Sequence, residues 1–127
     1  MDAQELQIGN VGLNFCQYSG NDQYSDGDIE EELLKIVKNT ADYDVALSDC
    51  EDFAIYYHLA KEREFIVEAM YISKQDEVLE IGAGCGAVTG ALADRAKSVH
   101  CIELSKRRSL INAYRHKTYD NISIQVC

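Results

Sequence analysis

The chain has 127 residues, and its 46% hydrophobic and 27% charged residues are typical of one ordinary globular domain. No apolar run approaches the roughly 20 residues of a transmembrane helix, and the polar, acidic residues 1–5 do not fit a secretory signal. Five cysteines lie far apart, at positions 16, 50, 85, 101 and 127, without the close spacing of a zinc site or redox pair. We therefore expect free thiols, no metal site, no membrane span and a reducing cytoplasmic setting.

The net charge of −10 is unevenly distributed along the chain. Residues 1–64 carry 15 acidic and 4 basic side chains, whereas residues 65–127 carry 7 acidic and 8 basic ones. Because nucleic-acid binding relies on a dense basic surface, the acidic first half argues against a nucleic-acid partner. The basic residues of the second half are interpreted mainly as a solvated helix face; they are Arg95, Lys97, Lys106, Arg107, Arg108, Arg115 and Lys117.

Residues 1–72 predict a segment of strands and loop followed by a helical cap. Weak alternation and several glycines in residues 6–27 indicate one or two short strands and then a loop. A helix is expected to follow, with Asp28 and Glu31 forming a capping box and Asn39 near its end.

A second helical stretch is expected over residues 51–71, after a linking loop over residues 40–50. Ser48 and Glu51 have the spacing of a capping box for this stretch. An apolar stripe near its end predicts a buried face; it consists of Phe65, Ile66, Ala69 and Met70.

Residues 73–127 show strands alternating with helices, which predicts an α/β fold. The expected strands are 76–81, 98–103 and 122–126, and the expected helices are 87–96 and 106–117, the latter capped by Ser105. Right-handed crossovers between such strands give a parallel sheet, which we expect to be covered on both faces. His100 is expected to be buried within its strand.

Three glycines, Gly82, Gly84 and Gly86, lie between the first of these strands and the following helix. Glycine allows a sharp turn and lets a ligand contact bare backbone, while the helix behind it favours a negatively charged group. Glu103 ends the next strand, 17 residues after Gly86, and its carboxylate suits the hydroxyls of a ribose. This pattern predicts a site for a nucleoside-containing cofactor.

Two cofactors fit the glycine pattern. Taken as Gly82-x-Gly84-x-x-Ala87, it matches a dinucleotide fingerprint, so an NAD(P)-dependent oxidoreductase half-domain is one alternative. Taken as Glu80-x-Gly82-x-Gly84-x-Gly86, it resembles the first motif of the class I S-adenosylmethionine-dependent methyltransferases. This resemblance covers about residues 53–127 and implies a partial Rossmann-like sheet, S-adenosylmethionine as cofactor and methyl transfer to an acceptor. The cofactor-binding residues that it implies are Glu80, Gly82, Ala83, Gly84, Gly86, Glu103 and Leu104.

Two narrower resemblances concern the acceptor. One resemblance is to methyltransferase-like regions of bacterial proteins labelled as cell-wall or capsule glycosyltransferases, which implies a small-molecule or glycan-type acceptor. It is carried by the run from Tyr56-Tyr57-His58-Leu59 through Arg63-Glu64 to Ser105-Lys106-Arg107-Arg108. The Val-Thr and Ile-Glu steps after the glycine motif are similar to the rRNA adenine dimethyltransferases, whose substrate-side signature, after a fourth strand, is not found here. A non-catalytic binding or assembly module is the third alternative.

The methyltransferase resemblance also implies an incomplete sheet. In that family the first strand lies in the middle of the sheet, with the fourth strand on its other side. We therefore expect residues 76–81 to form a bare edge, covered by a homodimer or strand swap, or by residues 6–18. The chain is accordingly expected to be a truncated part of a longer enzyme, inactive alone, with its catalytic residues unassigned.

Overall fold

The computed structural model describes residues 4–23, 27–48 and 50–127, so parts of the predicted loops (24–26 and 49) and residues 1–3 lie outside the description. The strands are β1 (Glu5–Ile8), β2 (Val11–Asn14), β3 (Glu77–Ile81), β4 (Ser98–Glu103) and β5 (Ile122–Val126). The α-helices are α1 (Asp28–Asn39), α2 (Asp44–Ser48), α3 (Phe53–Leu59), α4 (Phe65–Glu68), α5 (Thr89–Arg95) and α6 (Lys106–Arg115), and Lys61–Glu64 form a 3₁₀ helix. Within these ranges, no helix has the length and apolar character needed to cross a bilayer.

The five strands form one sheet in the order β1-β2-β5-β4-β3. Strands β3, β4 and β5 are parallel, with Leu79 opposite His100 and His100 opposite Ser123. The predicted α/β class with parallel strands and crossover helices is confirmed. The carboxyl ends of β3 and β4 lie at the same edge of the sheet, and that edge carries the glycine loop.

The N-terminal hairpin occupies the outer side of β5. Strand β2 pairs with β5 in parallel, and β1 pairs with β2 antiparallel. At the hairpin turn Gly9 has a φ of 56°, and a Cβ there would lie 2.3 Å from the carbonyl oxygen of Lys117, so the close approach requires glycine. The prediction that residues 6–18 cover β3 is therefore wrong. Within the described ranges β3 pairs with β4 alone, and the proposed domain boundary at residue 72 stays a prediction.

Helices α5 and α6 cover one face of the sheet. Val99 and Ile124 point into that covered side and are buried, whereas Leu79, His100 and Ser123 on the other face are exposed. The expected coverage of both faces is thus wrong for the described chain. Strands β3, β4 and β5 follow one another in a single direction, so right-handed crossovers bring both helices to the same face. His100 is not buried as predicted; its Nδ1 lies 2.7 Å from the Ser123 hydroxyl.

Helix α1 packs along α6 and forms most of the N-terminal cap. Its buried face includes Leu33 and Val37. The predicted helix is confirmed, but its capping box is not, because Gly27 occupies the N-cap position and Asp28 is the first helical residue. The acidic side chains of the first turn still stabilise the helix, because they lie at the positive end of its dipole.

The predicted stretch 51–71 is divided into short helices. Ser48 ends α2, in a segment predicted as loop, and its hydroxyl donates to the carbonyl of Val45. The N-cap of α3 is Asp52, whose carboxylate accepts a hydrogen bond from the Ala54 N–H at 2.8 Å. Ser48 therefore does not cap this stretch, because Asp52 stands directly at the first turn.

The apolar stripe of this stretch is exposed rather than buried. Phe65 and Ile66 are each 62% exposed. The next residue, Val67, is fully buried. Ile66 lines an open groove of about 710 Å³ that also borders Leu79 on the uncovered side of β3. Within the described ranges no strand pairs with the outer edge of β3, as expected. The stripe beside this edge therefore has no core to pack against.

Candidate functional site

The glycine loop between β3 and α5 is hydrogen-bonded to the end of β4. The N–H groups of Gly82 and Ala83 donate to the carbonyl of Ile102 at 2.8 and 3.3 Å. The Gly86 N–H donates back to the Ala83 carbonyl at 3.0 Å, which closes the turn. These bonds fix the loop at the carboxyl edge of the sheet, where open parallel sheets bind their ligands.

The three glycines of the loop have different surroundings. All three have positive φ angles, 74° at Gly82, 57° at Gly84 and 81° at Gly86. A Cβ at Gly82 or Gly84 would meet no atom within 4 Å, whereas a Cβ at Gly86 would lie 2.1 Å from Oδ1 of Asn112. The first two glycines therefore border open space that a ligand can fill, and the third allows the loop to pack against α6.

Glu103 joins the loop to the turn between β4 and α6. Its Oε2 accepts a hydrogen bond from the Gly84 N–H at 2.7 Å, and its Oε1 accepts one from the Ser105 N–H at 3.0 Å. Leu104, between them, is exposed on the same turn. The predicted loop and the predicted acid are thus brought together, and a charged acceptor lies beside the open space at Gly84. This donor and acceptor set fits a ribose diol.

Glu80 takes part in a different network, below the loop. Its Oε2 accepts hydrogen bonds from the Thr89 hydroxyl at 2.7 Å and from the Cys101 thiol at 3.5 Å. The Asn112 side chain donates in turn to the Thr89 hydroxyl at 3.2 Å. Burial raises the pKa of Glu80, and the hydrogen bonds from Thr89 and Cys101 only partly oppose this. The carboxyl group therefore connects β3 to α5, β4 and α6.

The chain matches a family model over the part that contains these features. Residues 59–127, more than half of the chain, match the model of the ribosomal RNA adenine dimethylases. The chain belongs to this family. It is thus a class I S-adenosylmethionine-dependent methyltransferase by family, and S-adenosylmethionine is the family's cofactor, as the glycine motif predicted.

Curated relatives in this family are considerably longer than the matched segment. The ribosomal RNA small subunit methyltransferase A of Clostridium botulinum is 43% identical over 61 residues, which cover 48% of this chain and 22% of that protein. The protein of the same name from Fusobacterium nucleatum is 44% identical over 52 residues, covering 41% of this chain and 19% of that protein. The matched stretch thus spans about a fifth of these relatives.

A solved structure supports the fold. A phosphoethanolamine N-methyltransferase 1 of Haemonchus contortus, in complex with phosphoethanolamine and S-adenosylhomocysteine, superimposes with a TM-score of 0.53 at 22% identity. The match covers 79% of this chain and 21% of that chain. At this identity the likeness concerns the fold, and the predicted Rossmann-like sheet agrees with it.

The predictions about the acceptor need correction. The curated relatives are ribosomal RNA methyltransferases, so the prediction that nucleic acid is not a partner is wrong, and so is the small-molecule or glycan-type acceptor. Nothing in the family match supports the link to cell-wall glycosyltransferases or the nicotinamide alternative. The acidic excess lies in residues 1–64, almost entirely before the matched segment, so the net charge of the whole chain misrepresents the family domain.

Much of the predicted basic cluster is used inside the protein. Arg108 Nε lies 2.7 Å from Oε2 of Glu30, a carboxylate that is fully buried between α1 and α6. Arg107 pairs with Glu31 at 3.3 Å at the surface. These two pairs connect α1 to α6, so they stabilise the cap rather than presenting an open basic face.

Arg115 connects α3 to the glycine loop. Its Nη1 donates to the carbonyls of His58 at 2.8 Å and Cys85 at 3.0 Å. His58 is buried, with its ring edge-on to Tyr57.

Burial raises the pKa of Cys85 to about 12, so this thiol stays protonated at neutral pH and is not a nucleophile there. All five cysteines are free thiols as predicted, while the cytoplasmic setting stays a prediction.

Three side chains in and around the site were not foreseen. Thr89 and Asn112 belong to the network below the loop. Asp22, from the segment after β2, binds the start of α6 next to Glu103. Asp22 is separated from Ser105 by 83 residues, so no local spacing indicates this contact.

Proposed function

We propose that this chain forms the S-adenosylmethionine-binding part of an enzyme that methylates adenine in ribosomal RNA. The observation that carries the proposal is the junction of Gly84 with Glu103 beside open space, inside the segment that matches the dimethylase family. The names of the curated relatives support RNA of the small ribosomal subunit as the acceptor.

Each residue of the site has a proposed role. When bound, S-adenosylmethionine supplies a methyl group activated by a positively charged sulfur. Glu103 accepts hydrogen bonds from the ribose hydroxyls, because its carboxylate is already oriented by two backbone N–H groups. Gly82 and Gly84 allow the amino acid and sulfonium portion to contact the backbone, because no atom lies where their Cβ would be. Ala83 and Leu104 flank these contacts along the two turns.

The remaining two predicted residues support the loop in this proposal. Gly86 permits close packing on Asn112, and Glu80 connects β3 to Thr89. Glu80 was predicted as a cofactor-binding residue, and the proposal gives it this supporting role, since its Oε2 already accepts two hydrogen bonds within the protein. The proposal assigns cofactor binding, and not activation of the acceptor, to this chain.

Isothermal titration calorimetry with S-adenosylhomocysteine tests the cofactor part. We expect the chain to bind S-adenosylhomocysteine and not NAD, and to lose binding when Gly84→Val fills the open space. Equal binding by the Gly84→Val variant would contradict the assignment of this loop. Binding of NAD in preference to S-adenosylhomocysteine would contradict the proposed reaction.

A chimera tests the acceptor part. Replacing the matched 61-residue segment of the Clostridium botulinum relative with the corresponding residues of this chain should preserve transfer of a tritiated methyl group to small-subunit rRNA. Adding Glu103→Ala to the chimera should abolish most of that transfer. A folded chimera that binds S-adenosylhomocysteine but leaves the rRNA unmethylated would contradict the proposal.

A further inference from the structure

The start of α6 carries a second carboxylate besides Glu103. Oδ1 of Asp22 accepts hydrogen bonds from the Lys106 N–H at 2.7 Å and from the Tyr18 hydroxyl at 2.9 Å. Its Oδ2 accepts from the Ser105 hydroxyl at 3.0 Å and from the Arg107 N–H at 3.1 Å. Asp22 therefore satisfies two of the N–H groups that a helix leaves without partners in its first turn.

Ser105 connects this carboxylate to the proposed ribose site. Its hydroxyl donates to Asp22 and accepts the N–H of Arg108 at 3.2 Å, as an N-cap does. Its own N–H donates to Oε1 of Glu103, whose Oε2 accepts the Gly84 N–H. Ser105 itself is 1% exposed, so this residue is shielded from solvent. A continuous series of hydrogen bonds thus runs from Asp22 through Ser105 and Glu103 to Gly84.

We propose that Asp22 is a positioning residue for the ribose-binding carboxylate of Glu103. The inference rests on the proposed function, because it takes Glu103 to bind the cofactor ribose. Without Asp22 the Ser105 hydroxyl and the N–H groups of Lys106 and Arg107 lose a common acceptor. The turn that orients Glu103 is then constrained from one side only. Because Ser105 already caps α6, Asp22 is not needed merely to begin the helix.

The test compares two ligands that differ at the ribose. Binding of S-adenosylhomocysteine and of its 2′-deoxy analogue is measured by calorimetry for the 127-residue chain and for Asp22→Asn. We expect the variant to bind S-adenosylhomocysteine about tenfold more weakly, the scale of one hydrogen bond to a charged group. Its affinity for the 2′-deoxy analogue should change by less than about twofold, because that ligand makes less use of Glu103. The matched control is Asp42→Asn, since Asp42 caps an exposed turn by accepting the Asp44 N–H at 3.0 Å.

Each result decides the inference. Equal weakening for both ligands would show that Asp22 only supports the fold, and unchanged affinity for S-adenosylhomocysteine would show no role at the site; both overturn the inference. If the parent chain binds neither ligand, the proposed function itself fails, and the inference fails with it. Should Asp22→Asn unfold, Ser105→Ala provides a second comparison: it keeps the N–H bond to Glu103 but removes the hydroxyl that donates to Asp22 and caps α6. Ligand-selective weakening in that variant supports the inference, and equal weakening overturns it.

Discussion

Alanine at Gly86 should destabilise the fold more than alanine at Gly84, whereas alanine at Gly84 should act chiefly on cofactor binding. Both positions have positive φ, a conformation that costs a residue with a Cβ about 1–2 kcal/mol. At Gly86 the new Cβ would also lie 2.1 Å from Oδ1 of Asn112 and 3.0 Å from Cε1 of His116. Such overlap in a packed region adds about 1–3 kcal/mol. We therefore expect Gly86→Ala to lower the free energy of unfolding by about 2–5 kcal/mol and Gly84→Ala by about 1–2 kcal/mol.

Urea unfolding monitored by circular dichroism measures the stability of both variants, and calorimetry measures their affinity for S-adenosylhomocysteine. Gly84→Ala should remain folded at low urea and lose affinity, because its methyl group enters the open space beside Glu103. Gly86→Ala should shift the urea midpoint much further. Equal shifts for the two variants would refute the division of roles within the loop. So would full affinity in Gly84→Ala.

Glu103→Ala should weaken S-adenosylhomocysteine binding by about 1.5–3 kcal/mol, the range for hydrogen bonds to a charged group. The control is Glu77→Ala at an exposed position, and an affinity of Glu103→Ala equal to that of the control would exclude Glu103 from the site. Burial lowers the pKa of His116 to about 4 from its usual 6.5, so the unfolded chain binds more protons between these values and stability should fall by up to about 3 kcal/mol as the pH drops through this window. His116→Gln should remove most of that dependence, and a persistent slope would assign it to other groups. Thiol titration should detect five thiols in denaturant and slow reaction of the buried Cys85 and Cys101 in the native protein; an intact disulfide would contradict this. The 127-residue chain alone should not transfer methyl groups to rRNA, and measurable transfer would contradict its assignment to cofactor binding alone.

The sequence predicted the second half of the fold closely because its cues are local. Strands β4 and β5 begin and end at the residues expected from their apolar runs and the turns beside them. Ser105 caps α6 as expected, since a serine before a helix satisfies its first N–H groups through neighbouring backbone alone. The helix start at Asp28 was shifted by one residue, because Gly27 with its φ of 71° takes the cap position.

Features that depend on distant contacts could not be predicted in this way. The glycine loop and Glu103 follow a known spacing, so their meeting was foreseen. The different roles of Gly84 and Gly86, by contrast, depend on Asn112 lying against Gly86 and not against Gly84. No local pattern selects which sheet edge the N-terminal hairpin will join. Its alternating residues suit either edge, and the pairing of Leu13 with Ile124 is decided only in the folded chain.

That pairing has a consequence for the order in which the protein can form during synthesis. Asn14 and Gln125 are neighbours in the sheet but are 111 residues apart in the chain. Since synthesis proceeds at about 5–20 residues per second, β2 is made roughly 5–20 s before β5. An isolated two-stranded hairpin is at best marginally stable in water, so β1 and β2 stay open to chaperones and proteases throughout that interval. Strands β1 and β2 are thus translated before β5 but acquire their place in the sheet only after it.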